Sequence, residues 1–375
     1  MDMSAITPST MQLNRLKWET TTEYNTGLDA SFLKVKLCFT VDVYLKYIKD
    51  LLQKKVKMPT SIGYGNGYEV SYMNSGKMTN KGWEFRVDAV PFENRDWRVG
   101  FYFNIAHNEN KITEMPDNYT EENYTFNNGE YAYRREEGRP MGSFYGYRYK
   151  GVCQNKDATY ARDADGNVMK DISGNAIVMR NGTATIAPGD ALYEDINHDG
   201  VINQYDIVYL GNSNPRFTGG AGVNVSYKQF KLSAIFYGRY GQDVVNSTRL
   251  NNESMRGIDN QSTAVLRRWR NEGDQTDIPR ALYGEGYNTL GSDRFVEDAS
   301  YLRLKSLSFN YRLPKKIIQR WGFSNIDVYV TGYNLFTWTK YTGQDPEVKT
   351  ENTYARDSAT TPASIQLVAG FNLSF

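Results

Sequence analysis

The sequence predicts an all-β protein built from antiparallel strands, and two observations carry this prediction. Apolar and polar residues alternate over many short segments, as they do in strands whose side chains point to opposite faces. The 375 residues also include 29 Tyr, 17 Phe, 6 Trp and 32 Gly. Aromatic residues favour strands, and glycines within strand patterns favour bulges and tight bends, so both surpluses agree with the alternation.

The alternating segments follow one another through most of the chain and give about nine strands. The first is the Thr-rich run from Trp18 to Asp29. The others are Val35 to Leu45, Trp83 to Ala89, Trp97 to Ile105, Ala221 to Tyr227, Phe230 to Phe236, Tyr301 to Tyr311, Ile326 to Val330 and Ile365 to Phe375. Within Tyr301 to Tyr311 the apolar phase shifts near Lys305 and Ser306, which predicts a β-bulge.

Short and long connections alternate along the chain. Short turns are predicted at Ala30–Lys34, Pro91–Asp96 and Lys228–Gln229, and a medium link from Pro314 to Asn325 is expected to hold one or two helical turns. The long connections are Lys46–Lys81, Asn108–Pro215, Gln242–Arg294 and Thr339–Pro362. This alternation is typical of outer-membrane barrels, which have short periplasmic turns and long extracellular loops. A soluble sandwich has the same strand periodicity, so the pattern alone leaves both architectures open.

Composition excludes several classes of function. The chain carries 44 basic and 43 acidic residues, so no charge excess points to nucleic acid. Its mean hydropathy is −0.63, and no apolar run approaches the ~20 residues of a membrane helix. Two cysteines make no disulfide framework, and two histidines argue against a zinc site or histidine-based catalysis. No catalytic motif is present, so the chain is predicted not to be an enzyme.

Several long segments resemble one known family. They are LKWETTTEYNTGLDASF, NSGKMTNKGWEFRVDAVPF, RPMGSFYGYRYKGV, GDALYEDINHDGVINQYDIVYLGNSNPRFTGG, RFVEDASYLRLKSLSFNYRLP, VYVTGYNLFTWTKYTGQDPEV and LVAGFNLSF. In this order and spacing, from about Leu16 to Phe375, the chain is similar to the C-terminal part of SusC/RagA-type TonB-dependent receptors of the Bacteroidetes outer membrane.

The resemblance implies a portion of an antiparallel transmembrane β-barrel in the cell outer membrane. It implies nutrient uptake, with an oligosaccharide or other glycan, or a peptide, as substrate. The implied partners are a SusD-like lipoprotein lid, the TonB complex, outer-membrane lipid and the barrel assembly machinery, and no nucleic acid. The alternative is a soluble β-sandwich that binds carbohydrate through aromatic loops.

The family's barrel has roughly 22 strands around a plug, whereas about nine are predicted here. No plug domain, TonB-contact segment or export signal is recognised. Residues 1–375 are therefore expected to be the C-terminal part of such a barrel, which does not transport alone. Residues 108–215 are expected to form a long extracellular loop region.

A candidate calcium loop lies within that region. Its pattern is D-x-N-x-D-G, with oxygen donors at alternating positions and a glycine for the sharp turn. The candidate ligands are Asp195, Asn197, Asp199, Val201 through its carbonyl, Asn203 and Asp206. The alternative is a turn held by side-chain hydrogen bonds to the backbone, which is also how we interpret the shorter run from Asp163 to Asn167.

Three further groups of residues are predicted to have roles. Loop aromatics could contact a substrate or the lid: Tyr131, Tyr133, Tyr145, Tyr147 and Tyr149. Residues near strand ends could form the aromatic girdle at the membrane interface: Trp83, Trp97, Trp338 and Tyr341. The alternating apolar end of the chain, with Phe371, Leu373 and Phe375, could serve as the signal for barrel insertion.

Overall fold

A computed structural model describes residues 16–57, 69–74, 76–115, 129–132, 135–284, 287–348, 350–351 and 354–375. Its main feature is one nine-stranded antiparallel sheet, and each strand pairs with its neighbours along the chain. In order the strands are β1 Thr20–Phe32, β2 Leu37–Lys49, β3 Lys77–Glu93, β4 Trp97–Glu114, β5 Phe217–Tyr227, β6 Phe230–Tyr240, β7 Tyr301–Arg312, β8 Asn325–Thr339 and β9 Gln366–Ser374. All nine predicted strands are confirmed.

The predicted bulge is also confirmed. The register of β7 shifts by one residue between Leu304 and Ser306, against both β6 and β8. Against β6 the extra residue is Lys305, so Leu307 and Leu304 both remain on the apolar side of the sheet. Against β8 the extra residue lies in β8, between Tyr333 and Phe336.

The strands are longer than the apolar alternation indicates. β3 begins at Lys77 and β4 ends at Glu114, so the predicted long loops 46–81 and 108–215 are shorter than expected. These extensions are polar and carry ion pairs between Lys77 and Glu114 and, at 3.0 Å, between Lys81 and Glu109. Backbone pairing continues there without an apolar pattern, so alternation could not indicate these extensions.

Short turns lie at one end of the sheet and long loops at the other. The turns join β1 to β2, β3 to β4 and β5 to β6, and the link from β7 to β8 holds the predicted helical turns, Lys315–Ile318 and Gln319–Trp321. The loops carry short strands at Leu52–Lys57, Glu69–Asn74, Ser143–Gly146, Tyr149–Val152, Arg180–Asn181, Ala184–Thr185, Ala191–Tyr193, Val201–Ile202, Val208–Asn212, Asp243–Asn246, Val296–Asp298, Thr350–Glu351 and Tyr354–Asp357. Their helices are Asp157–Thr159, Gln204–Asp206, Ser247–Asn252, Thr263–Arg267 and Asp293–Phe295. None of the helices in the described ranges could carry the chain across a bilayer.

The buried core lies in the loops and not against the sheet. The largest cluster joins residues of the 115–216 connection, such as Tyr145, Ile202 and Ile207, to Leu290 of the next long loop. Three smaller clusters form around Val245 and Phe295, around Val244 and Tyr341, and around Val265 and Ile278. The loops that follow β4, β6 and β8 therefore pack together into one layer at their end of the sheet.

Candidate functional site

The two faces of the sheet differ sharply in chemistry. A cross-strand row on what we call the apolar face runs through eight strands and contains only apolar side chains: Ala30, Phe39, Val87, Phe103, Ala221, Phe236, Leu304 and Phe336. The row one residue away lies on the polar face and contains Asp29, Thr40, Arg86, Asn104, Gly220, Tyr237, Arg303 and Thr337. The period of two along each strand and the common register produce this separation.

The charges on the polar face are largely paired. Lys46 lies 3.3 Å from Glu23, the Nε of Arg86 lies 2.7 Å from Asp88, and Arg312 lies 2.9 Å from Asp327. Apart from Asp327, which is largely buried, these side chains are exposed, and an exposed pair contributes little to stability, at about 0–1 kcal/mol. Their arrangement makes this face suited to contact with water or polar ligands.

The apolar face is exposed in the described residues. Phe336 is 60% exposed and Leu367 75%, and comparable side chains continue from β1 to β9. A soluble monomer rarely exposes so continuous an apolar surface, and a sandwich would cover it with a second sheet. One exposed apolar face, one polar face and long loops at a single end define this sheet as a portion of a transmembrane β-barrel wall.

The predicted aromatic contact surface is not confirmed. Tyr131, Tyr145 and Tyr147 are buried in the clusters of the loop layer, so they cannot face a substrate or a lid. Tyr149 is half-buried, and its hydroxyl donates to the backbone oxygen of Asp277 at 2.7 Å. Burial raises the pKa of Tyr149 to about 12. Tyr133 lies outside the described residues.

These tyrosines were misjudged because Tyr combines a large apolar ring with a polar tip. Such a residue serves equally well in a core and at an interface. Tyr131 serves in the core, since its hydroxyl donates to the backbone oxygen of Ser292 at 2.7 Å inside the protein.

Three of the four predicted girdle residues lie on the apolar face. Trp97 lies at the short-turn end with its ring 4.3 Å from that of Tyr227, and Trp338 lies at the loop end and is 52% exposed. Trp83 is half-buried beside His107. These positions are compatible with a girdle, which stays a prediction.

Tyr341 is a correction to that prediction. It is only 6% exposed, and its hydroxyl donates to Asp357 at 2.6 Å within the loop layer. Burial, followed by the Asp357 carboxylate, raises its pKa above the ordinary range. Two residues beyond β8, the chain has already turned into the loop core, so Tyr341 does not reach the exposed face.

The candidate calcium loop forms a compact turn. The Asp195 carboxylate accepts the backbone N–H groups of Asp199 and Gly200, and the Asp206 carboxylate accepts those of Ile196 and Asn203. The amide of Asn197 donates to Asp199, and the Val201 carbonyl accepts from the Asn203 amide. Within the described ranges, no three His, Cys, Asp or Glu side chains are grouped so that they could hold a metal ion. Calcium binding therefore stays a prediction beside the alternative of a hydrogen-bonded turn.

Asp206 differs from its neighbours because it is fully buried. Burial raises the pKa of Asp206, and the nearby carboxylates of Asp195 and Asp199 raise it further. The two backbone donors have the opposite effect. The shorter run at Asp163 forms the predicted turn, since that carboxylate accepts the N–H groups of Asp165 and Asn167.

The end of the chain lies on the edge strand β9. Phe371 and Leu373 pair with Val328 and Ile326 of β8 on the apolar face, and both are exposed. Phe375 is 90% exposed, and its ring lies 5.0 Å from that of Phe323. An exposed apolar end is compatible with an insertion signal, and this role stays a prediction.

Sequence analysis missed an ion-pair hub on the polar face. Arg303 is 2% exposed and donates to Thr337 at 2.8 Å, to Glu347 at 2.9 Å and to Asp345. The two carboxylates lie 42 and 44 positions further along the chain, in the loop between β8 and β9. No local sequence signal marks such a separated set, and the hub fastens this loop to the sheet.

Comparison with known proteins identifies the barrel type. No family model matches the chain. TonB-dependent receptor P3 of Formosa agariphila is 32% identical over 90% of this chain and 32% of its own length. TonB-dependent receptor SusC of Bacteroides thetaiotaomicron is 26% identical over 96% of this chain and 32% of its own length. The structure of the RagAB peptide transporter matches 96% of this chain and 36% of that chain, with 27% identity and a TM-score of 0.69.

The resemblance inferred from the sequence is thus confirmed: over most of its length the chain is similar to TonB-dependent receptors that include SusC, and to the RagAB transporter. It spans about a third of the length of the curated relatives it matches. The names of these relatives describe receptors and transporters, in agreement with the prediction that the chain is not an enzyme.

Proposed function

We propose that this chain forms part of the wall of an outer-membrane TonB-dependent transporter. The apolar face contacts lipid, and the polar face lines the path of an imported nutrient. The observation that carries this proposal is the exposed apolar face over nine strands, combined with the relationship to SusC and RagA. In hydrocarbon such a face costs nothing to expose, whereas in water it would cause association.

The proposal includes two partners. A SusD- or RagB-like lipoprotein would cover the loop end, where the long loops form a packed and therefore firm surface. TonB would supply energy from the opposite side, as the names of the relatives suggest. Both a peptide and an oligosaccharide remain candidate substrates, since one matched structure is a peptide transporter and another relative is SusC.

We further propose that other strands complete the barrel. β1 and β9 are the edges of the sheet in the described residues, and each has one unpaired side. Open edges are not tolerated in hydrocarbon, because their backbone groups would have no hydrogen-bond partner. Nine antiparallel strands also cannot close on themselves without one parallel seam. The 375 residues alone would therefore not transport.

Membrane fractionation and uptake measurements test this proposal. The protein should be found with the outer membrane, require detergent for extraction and migrate faster in gels before heating than after. Vesicles that contain only these 375 residues should show no gated uptake of labelled peptides or oligosaccharides. Recovery of a monomer in detergent-free buffer would contradict the membrane assignment, and gated uptake by the 375 residues would contradict the need for further strands.

A further inference from the structure

A cavity of about 700 Å³ lies on the polar face beneath the loop between β8 and β9. Arg239 of β6 forms one wall, and Asp345, Glu347 and Val348 of the loop form another. Thr360 and Thr361, further along the same loop, complete the lining together with Ala363. Arg239 pairs in register with Tyr301 next to the Arg303 hub, which places its side chain on the polar face.

The two carboxylates at this cavity are already neutralised. Glu347 accepts from Arg303 and from Lys305, each at 2.9 Å. Asp345 pairs with Arg303 and also accepts the backbone N–H groups of Glu347 and Ala363, each at 2.9 Å. These carboxylates hold the loop in place, and their charge is matched by Arg303 and Lys305.

Arg239 is the third cation at this cavity. Its Nε donates to the Tyr237 hydroxyl at 3.2 Å, and no carboxylate pairs with it among the described residues. Its guanidinium is half-buried, permanently charged and keeps the terminal nitrogens as donors. Three cations and two carboxylates therefore leave one net positive charge at the cavity.

A planar guanidinium binds carboxylate, sulfate or phosphate groups through two parallel hydrogen bonds. A partly buried site strengthens such bonds, because water screens them less than at the surface. The exposed hydroxyl-bearing residues Thr360 and Thr361 also line the cavity, where they could donate to the same group.

We propose that this cavity binds an acidic group of the imported ligand and that Arg239 is the residue that recognises it. The inference rests on the proposed function, because it requires the polar face to be the path of the ligand. It goes further in naming the ligand class, which is an acidic peptide or an acidic oligosaccharide rather than a neutral one.

Binding measurements on the detergent-solubilised protein test the proposal. Two pairs of probes separate the two sources of the acidic group: the peptide Ala-Glu-Ala-Glu against Ala-Gln-Ala-Gln, and trigalacturonate against maltotriose. Calorimetric titration of the parent protein should show binding of at least one acidic probe and weaker binding of its neutral counterpart. Arg239→Gln should weaken the affinity for the acidic probe by about tenfold or more, which is the loss expected for one charge-assisted hydrogen bond.

Arg312→Gln is the matched control. Arg312 is also an arginine of the polar face, but it pairs with Asp327 near the short-turn end of β7, away from the cavity. This variant should bind the acidic probe as the parent does. Arg239→Lys should retain part of the affinity, because it keeps the charge and loses the planar fork.

Three outcomes would overturn the inference: equal binding of acidic and neutral probes, unchanged affinity in Arg239→Gln, or binding of no probe by correctly folded protein. Folding is checked by heat-dependent gel migration for every variant. If the protein fractionates with the outer membrane but fails these tests, the acidic site is rejected and the proposed function is retained. If the protein is absent from the membrane fraction, both are rejected.

Discussion

Replacing Arg303 with methionine tests how the loop between β8 and β9 is fastened to the sheet. The buried guanidinium bonds Thr337, Asp345 and Glu347, so the substitution leaves two carboxylates of the loop without their shared cation. Breaking a buried pair by removal of one partner costs about 3–5 kcal/mol. The lower part of this range applies here, because Asp345 keeps two backbone donors and Glu347 keeps Lys305.

The same strand offers a matched control. Arg312 is also on β7 and also bonds a carboxylate, but its side chain is 64% exposed. Arg312→Met should cost about 1 kcal/mol, because the guanidinium is exposed and the largely buried Asp327 keeps the amide of Asn325 as a donor. The free energy of unfolding comes from urea titrations followed by tryptophan fluorescence. Limited proteolysis reports on the loop itself, which should be cut much faster in Arg303→Met than in Arg312→Met. Equal effects of the two substitutions on both measurements would refute the role of Arg303 in fastening this loop to the sheet.

Three further predictions follow from the same structure. Val223→Arg places a charge on the apolar face and should lower the free energy of unfolding by about 2–4 kcal/mol in vesicle-folding titrations. Asn224→Arg, at the same depth on the polar face, should lower it by about 1 kcal/mol, because the hydrogen bond between Asn224 and Ser233 is lost. Equal costs would contradict the assignment of the faces. If the loop at Asp195 binds calcium, calorimetry should detect binding that Asp199→Asn abolishes and Asp163→Asn does not, and no heat of binding in the parent would favour the hydrogen-bonded turn. Burial tends to raise the pKa of Asp345, but its backbone donors and Arg303 outweigh burial and hold that pKa below its ordinary value of 3.8. The stability that this carboxylate contributes should therefore be complete above about pH 4 and be lost as the pH falls further. Proteolysis of the loop against pH should show a smaller change in Arg303→Met, in which only the two backbone donors still lower the pKa of Asp345.

The strands could be predicted because their side chains meet two different environments at every second position. A strand with lipid or core on one face and water on the other must alternate apolar and polar residues. This alternation can be recognised in the sequence without knowing which strands are neighbours. The bulge at Lys305 was predictable for the same reason, since one extra residue shifts the phase of the pattern. The polar extensions of β3 and β4 were not, because their residues carry no apolar alternation.

The loop layer could not be predicted at the same level. Its tyrosines have the composition of an interface, yet Tyr145 and Tyr147 are core residues because residues of two long loops pack around them. The Arg303 hub depends on carboxylates more than 40 positions away, and the charge left on Arg239 follows only when those pairs are known. Such groupings arise from the path of the chain in space and leave no periodic trace in the sequence.

Electron paramagnetic resonance on β5 tests most directly whether one face of the sheet lies in lipid and the other in water. The two native cysteines, Cys38 and Cys153, are replaced with serine, and single spin labels are placed in turn at each position from 221 to 227 of the protein in vesicles. Collision with dissolved oxygen should peak at 221, 223, 225 and 227, and collision with a water-soluble nickel complex at 222, 224 and 226. A profile without this period of two, or the nickel complex reaching every position equally, would contradict the barrel wall.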